Sequence, residues 1–355
     1  LTAKRWIITT GFVVAATLAM VLCAVLPSPD VTAARRQSDF LIMNTEARVI
    51  VYADTADQAA AAVRAAEAEL QAIESRLNRY DPTSEISALR AAAGHDAVAI
   101  SESTARAIEA GRLWWRQSHG TFNPLVGSLV SAWKQAEKDQ RLPTDETLRQ
   151  AMALLDMDAI ELTGSGDAWR CRLPREGMQL DLGGLAKGWA ADEALRAVRR
   201  CAGVRAALVV IGGDGACWSA DGWSRPWRFA VQDPLRGEQV GAAYAELLLA
   251  NEAVVTSGDY YRAYQIGGRR YSHILDPRTG QPVESRIASV TVIHRDGAAA
   301  DSLATACVVL GVKEGLSLLE RLPDTEGLIL EHGEGGLVEH RTGGFSQYVV
   351  SGGAK

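Results

Sequence analysis

The sequence predicts an α+β fold, with mixed or antiparallel sheets flanked by helices, and three observations carry that reading. Between about residues 45 and 157, apolar residues recur mostly at helical spacing. From about Asp158 the texture changes to short β-rich runs separated by Gly and Asp turns. No repeat or low-complexity linker divides the two stretches, so residues 37–355 read as one unit of two interlocked lobes, roughly 40–157 and 158–350. With 355 residues, 47% of them apolar and 23% charged, the chain is long enough for a full core.

The first forty residues are expected to lie outside the fold. Lys4 and Arg5 precede a charge-free span from Trp6 to Leu26, followed by Pro27, Pro29 and the small-residue stretch Val31-Thr32-Ala33, where a signal peptidase could cut. Residues 1–36 are therefore a signal peptide or, because the apolar span is as long as a bilayer-crossing helix, an uncleaved anchor. The expected location is exported: periplasmic, or periplasm-facing and held at the inner membrane by this segment. Bulky Leu22 before Cys23 argues against lipid attachment.

Thr45 to Tyr52 has a β-branched strand pattern, and Val63, Ala66, Leu70, Ile73 and Leu77 then mark one buried stripe of a helix. A second helix is expected at Ser103–Ser118 and a third at about Glu146–Leu155, with Thr144 or Asp145 accepting from its free N–H groups. Strands are expected at Ala159–Thr163, Gln179–Leu182, Ala206–Ile211, Trp227–Val231, Tyr244–Leu249 and Ile287–Ile293, with helices at Ala186–Val198 and Ala298–Val309. The formal net charge of −6, without any basic run interleaved with aromatics, excludes nucleic acid as a partner. Beyond Cys23, the cysteines Cys171, Cys201, Cys217 and Cys307 are widely spaced and lack any CxxC, so zinc is excluded; disulfides and buried small hydrophobes both stay open.

Four stretches could carry chemistry. In "LDLGGLAKGWAAD", Leu180 to Asp192, a Gly-Gly pair opens a helix whose free N–H groups suit an anionic phosphate; a purely structural turn is the alternative. "VVIGGDGACW" repeats the theme with Gly212, Gly213 and Asp214, where an Asp bonding its own turn is the plain reading. In "TSGDYYRAYQIGGRRYSHILDPRTGQP", Ser257-Gly258-Asp259 is expected to turn tightly and Gly267-Gly268 to close a hairpin delivering Ser272, His273 and Asp276. In "GAAADSLATACVVLG", Asp301 and Thr305 are one helical turn apart, a hard-oxygen pair suited to Mg²⁺. The competing reading of that pair is a helix-dipole partner and a hydroxyl bonded back to its own helix.

Taken in order with "LNRYDPTSEISAL" and "GTFNPLVGSLV", these stretches resemble the ApbE-type flavin transferases, the Mg²⁺-dependent FAD:protein FMN transferases, from about Met43 nearly to the C-terminus. The resemblance implies that FAD is bound as substrate with its pyrophosphate on Mg²⁺, and that FMN passes to a Thr, occasionally Ser, hydroxyl of an acceptor protein with release of AMP. It implies Asp301, Thr305 and the backbone carbonyl of Ala186 as metal ligands, and His273 and Asp301 as catalytic residues, His273 handling a proton or orienting a phosphate. The same resemblance places Met43, Tyr80, Thr121, Phe122, Asn123 and Asp181 around the cofactor. Gly184, Lys187, Gly213, Asp214, Ser257, His273 and Leu275 complete that set. The implied acceptor is a flavin-carrying membrane redox subunit.

Three positions depart from the family pattern: Met43-Asn44-Thr45 stands for Met-Gly-Thr, Asn123 for a usual Asp, and Arg79 for a small hydroxyl residue. Asn44 can still adopt a left-handed turn. Water could attack the same phosphorus, making an FAD pyrophosphatase that yields FMN and AMP the alternative, and a non-catalytic exported FAD-binding protein is an alternative of another class.

Overall fold

A computed structural model of the protein describes residues 33–236, 242–258 and 263–350. It opens on a hairpin of β1 (Ala34–Ile42) and β2 (Thr45–Ala53), so the strand starts before both the boundary expected after residue 36 and the lobe start expected near residue 40: residues 34–42 pair along β2 from Ala34↔Ala53 to Ile42↔Thr45. That strand was hidden because it is a sheet edge carrying Arg35, Arg36, Gln37 and Asp39 instead of an apolar alternation. Met43 and Asn44 form its two-residue turn at φ of +51° and +59°, the left-handed pair that such a hairpin requires.

Helix α1 (Ala56–Leu77) starts from a capping box of Thr55 and Gln58 and buries Val63, Ala66, Leu70, Ile73 and Leu77 as expected. After it come α2 (Glu85–Ala91), β3 (Val98–Ile100), α3 (Glu102–Gln117), α4 (Gly127–Asp139) and α5 (Asp145–Met152). Ser101 caps α3, and Thr144 rather than Asp145 caps α5. Next are β4 (Glu161–Thr163) and β5 (Trp169–Arg172), which form a small sheet in the order β3-β5-β4. Gln179–Leu182 is not a strand; Asp181 N–H donates to Pro124 O at 2.7 Å, and the segment leads straight into α6 (Ala186–Arg199).

The remaining elements are β6 (Val204–Ile211), β7 (Asp214–Ser219), β8 (Trp227–Gln232), β9 (Ala243–Leu249), β10 (Ala253–Gly258), β11 (Ala263–Ile266), β12 (Arg269–Ser272) and β13 (Ile287–His294), then α7 (Gly297–Leu310), α8 (Val312–Arg321), β14 (Glu326–Gly333) and β15 (Gly336–Arg341). Eight strands make one sheet in the order β1-β2-β6-β7-β10-β13-β14-β15, each neighbouring pair antiparallel. Because successive side chains alternate faces, Val49, Val51, Val209 and Ile211 join the core under the helices. Ile50, Tyr52, Leu208 and Val210 join a second core with Trp227, Phe229 and Leu247 of the β8–β9 hairpin. The sheet draws on both expected lobes, since β2 pairs with β6 along Ala47↔Ile211 to Ala53↔Val204.

Ser257 and Gly258 remain in β10 rather than turning, and Asp259 lies outside the described residues, as do residues 1–32 and Cys23. Gly267 and Gly268 close the β11–β12 hairpin at φ of +58° and +76°. Among the described residues no disulfide joins Cys171, Cys201, Cys217 and Cys307, and burial pushes Cys171 and Cys307 up to about 12, leaving those two inert. Among the described residues no helix is long and apolar enough to cross a membrane.

Candidate functional site

The N-terminus of α6 has no side-chain cap of its own. Its first-turn donor, the Gly188 N–H, is instead satisfied by Asp301 Oδ2 of α7 at 3.2 Å. The favour is returned: Asp192 of α6 accepts the Gly297 N–H, first in α7, at 2.7 Å, beside the local N-cap Asp296. Each helix thus carries an Asp side-chain oxygen that accepts an N–H from the first turn of the other. The crossing depends on glycine at both positions, because a Cβ on Gly297 would lie 2.6 Å from Gly188 O, and one on Gly188 would lie closer still to Gly297 O.

Lys187 projects from the same turn into two buried carboxylates. Its Nζ donates to Asp214 Oδ2 and stands 3.8 Å from Asp301 Oδ1, beyond hydrogen-bond reach. Asp214, which is 2% exposed, opens β7 after the Gly212-Gly213 turn, and its Oδ1 accepts the Thr256 N–H at 3.1 Å. The turn-bonding expectation for Asp214 is therefore replaced by a reach across the sheet. Nor does Asp301 serve its own helix; Asp296 does that, and Asp301 is 2% exposed. One ammonium for two buried carboxylates leaves the cluster anionic, an arrangement that favours a further cation.

Thr305 lies one turn beyond Asp301. A Cβ at Gly184 would come 3.3 Å from Thr305 Oγ1 and 3.1 Å from the Phe122 ring, so the glycine keeps a cradle open between the α6 entry, α7 and the Phe122 loop. Asp301 carboxylate, Thr305 hydroxyl and main chain at Ala186 are the hard oxygen donors that Mg²⁺ takes, and the cluster's charge fits it. Among the described residues no group of three His, Cys, Asp or Glu side chains could hold a metal, so such a site must draw on hydroxyl and carbonyl oxygens.

Ion pairs thus join Lys187 to Asp214 and Asp301, Gly184 lies close to Thr305 and Phe122, and Gly213 is in the turn before Asp214. Thr121 is buried with its hydroxyl donating to Ser118 O at 2.8 Å. Two residues expected to face the cofactor have side chains committed to the protein. Asn123 donates to Leu155 O at 2.8 Å and accepts from Leu125 N–H at 2.9 Å, while Asp181 pairs with buried Arg79 and accepts from Gly183 N–H at 3.0 Å. Tyr80 is 63% exposed, its ring 4.3 Å from Lys134 Nζ. Met43 is half-buried at the β1–β2 turn, and Ser257 follows Thr256 in β10 opposite Val290.

His273 follows β12, half-buried, on a substructure that α4 carries. Gln265 N–H donates to Glu137 Oε1 at 2.7 Å, and Trp133 Nε1 donates to Gly280 O at 2.9 Å across the turn after buried Leu275. Asp192 and Thr256 were missed in the sequence. Asp192 had a usable signal: it ends "LDLGGLAKGWAAD" four residues after Gly188, on the same face of α6.

A model of the ApbE family matches residues 43–329. The chain is 32% identical over 305 residues to a FAD:protein FMN transferase of Treponema pallidum, covering 82% of this chain and 83% of that one. In structure it is similar to the apo form of the flavinyl transferase ApbE of Pseudomonas stutzeri, with a TM-score of 0.75, 27% identity, and coverage of 89% of this chain and 97% of that one. It is also similar to the ApbE protein of Thermotoga maritima, with a TM-score of 0.73, 26% identity, and coverage of 89% and 99%.

Proposed function

The chain belongs to the ApbE family, and from that premise we propose that it moves FMN from FAD to a hydroxyl of an acceptor protein and releases AMP. The observation that carries the reading is the anionic cluster of Asp214, Lys187 and Asp301 at the N-terminus of α6, which has no side-chain cap of its own and borrows Asp301 from α7. Helix end and ammonium attract a diphosphate, while the surplus carboxylate calls for a divalent cation between the two.

Asp301, Thr305 and the Ala186 carbonyl would hold Mg²⁺, which when bound neutralises phosphate oxygens and makes phosphorus more electrophilic. Lys187 positions the diphosphate, and Asp214 fixes the ammonium by holding it from below. The acceptor Thr Oγ attacks the FMN phosphorus, the bond to the bridging oxygen breaks, and AMP leaves with that oxygen. An imidazole nitrogen of His273 takes the hydroxyl proton. The proposed acceptor is a membrane redox subunit with a Thr at its flavin site. Lys4 and Arg5 before the charge-free Trp6–Leu26 span support an exported enzyme, periplasmic or anchored on the periplasmic side of the inner membrane.

Incubation with FAD and Mg²⁺, with and without a Thr-containing acceptor peptide, followed by nucleotide analysis tests this. The expected result is AMP together with covalent peptide fluorescence. AMP with free FMN in the absence of peptide would make the protein a hydrolase instead, and equal turnover in excess EDTA would remove the metal. Asp301→Ala should lower turnover by at least about 10²- to 10³-fold while FAD binding weakens far less.

A further inference from the structure

The end of the sheet where the described chain begins is built differently from the end that holds the site. Strand β1 starts there at Ala34, directly after the segment containing the charge-free Trp6–Leu26 span. Around that start the topology gathers Arg35, Arg36, Arg199, Arg200, Arg205 and Arg225, from β1, the end of α6, the start of β6 and the turn after β7. Backbone bonds hold these pieces together: Asp54 N–H donates to Gly203 O at 2.8 Å, and Ala220 N–H donates to Arg205 O at 2.8 Å. Among the described residues Asp54, which pairs with Arg205 at 2.6 Å, and Asp57, Asp221 and Glu252 are the acids nearest these arginines along the chain and the sheet, in a chain whose net charge is −6.

Two half-buried tryptophans stand among them. Arg199 lies 5.3 Å from the Trp218 ring centre and Arg225 5.8 Å from that of Trp223, which packs on Tyr52 at 5.1 Å. Tryptophan with arginine is the combination that suits the headgroup layer of a bilayer, where an amphipathic ring and a cation both find partners. Between Leu26 and Ala33 the chain can span at most about 25 Å, so an anchor in the bilayer keeps this end near the lipid.

We propose that this arginine and tryptophan end rests on the surface of a bilayer containing anionic phospholipid. The proposal rests on the anchor reading given above. It also orients the enzyme. Both α6 and β6 run between this end and the site, and 14 helical residues or eight strand residues set the site about 20–27 Å from the lipid. The partner hydroxyl must then be presented at that height by an acceptor domain standing off the membrane.

Hydrogen exchange on the full chain in nanodiscs tests it, comparing phosphatidylcholine alone with phosphatidylcholine mixed with phosphatidylglycerol. Amides of residues 199–205 and 218–226 should exchange about tenfold more slowly in the anionic discs, and high salt should abolish the difference. The variant with Arg35→Glu, Arg36→Glu and Arg200→Glu should lose that protection and keep its turnover on a soluble peptide, which reports that it is folded. A chain that enters the disc but exchanges identically in both lipids overturns the proposal and leaves the anchor standing. A chain that never enters the disc overturns the anchor reading, and the proposal with it.

Discussion

Asn123 donates through its amide nitrogen to Leu155 O, a bond that an ionised carboxylate cannot make. Asn123→Asp would set a buried negative charge against a carbonyl oxygen and cost about 1–3 kcal/mol at neutral pH. The loss should shrink at low pH, where a protonated Asp donates again. Urea midpoints at two pH values measure this; equal loss at both would show that the amide bond is not what Asn123 supplies. A second of the three departures has a similar explanation, because Arg79 neutralises Asp181 in a largely buried pair, its own side chain 9% exposed. A pair 102 positions apart is invisible to spacing arguments, which is why the Arg79–Asp181 pairing was not legible in the sequence.

At the scale of elements, the α6–α7 crossing sets the site. Gly188→Ala would drive a methyl group into the α7 backbone, separate Asp301 from the α6 N-terminus, and cost about 1–3 kcal/mol or more. Thermal melting together with turnover checks it, and a fully stable variant would mean that the helices do not meet at this point. Asp192 gives the crossing a pH signature, because burial, with the neighbouring Asp296 carboxylate, pushes it up to about 8 from an ordinary 3.8. Between those values the folded protein holds a proton that the unfolded chain has lost, so this group lowers stability progressively as pH rises from about 4 to about 8. Asp192→Asn, which keeps an oxygen for Gly297 N–H, should flatten that slope. Urea unfolding at pH values across this window measures it, and an unchanged slope would assign the pH dependence to other groups.

For the molecule as a whole, the shared eight-stranded sheet predicts one cooperative unfolding transition, with far-ultraviolet dichroism and tryptophan fluorescence changing together; two steps would mean that the stretches before and after residue 158 are separable. Local signals were legible wherever a pattern and its cause lay within a few residues. Examples are the α1 stripe, the Gly267-Gly268 hairpin, and Asp301 and Thr305 on one face of α7. Helix α4 escaped although Leu129, Trp133 and Ala136 have helical spacing, since it opens on Gly127 without a side-chain cap. What no local pattern could reveal is that α6 and α7 complete one another, through residues 113 and 105 positions apart. That separation fixes an order of events during synthesis: α6 emerges with its Gly188 amide unanswered and must wait for a helix still to be made. A half-translated chain therefore offers nucleotide nothing to grip, and the protein must finish folding before it can meet its flavin.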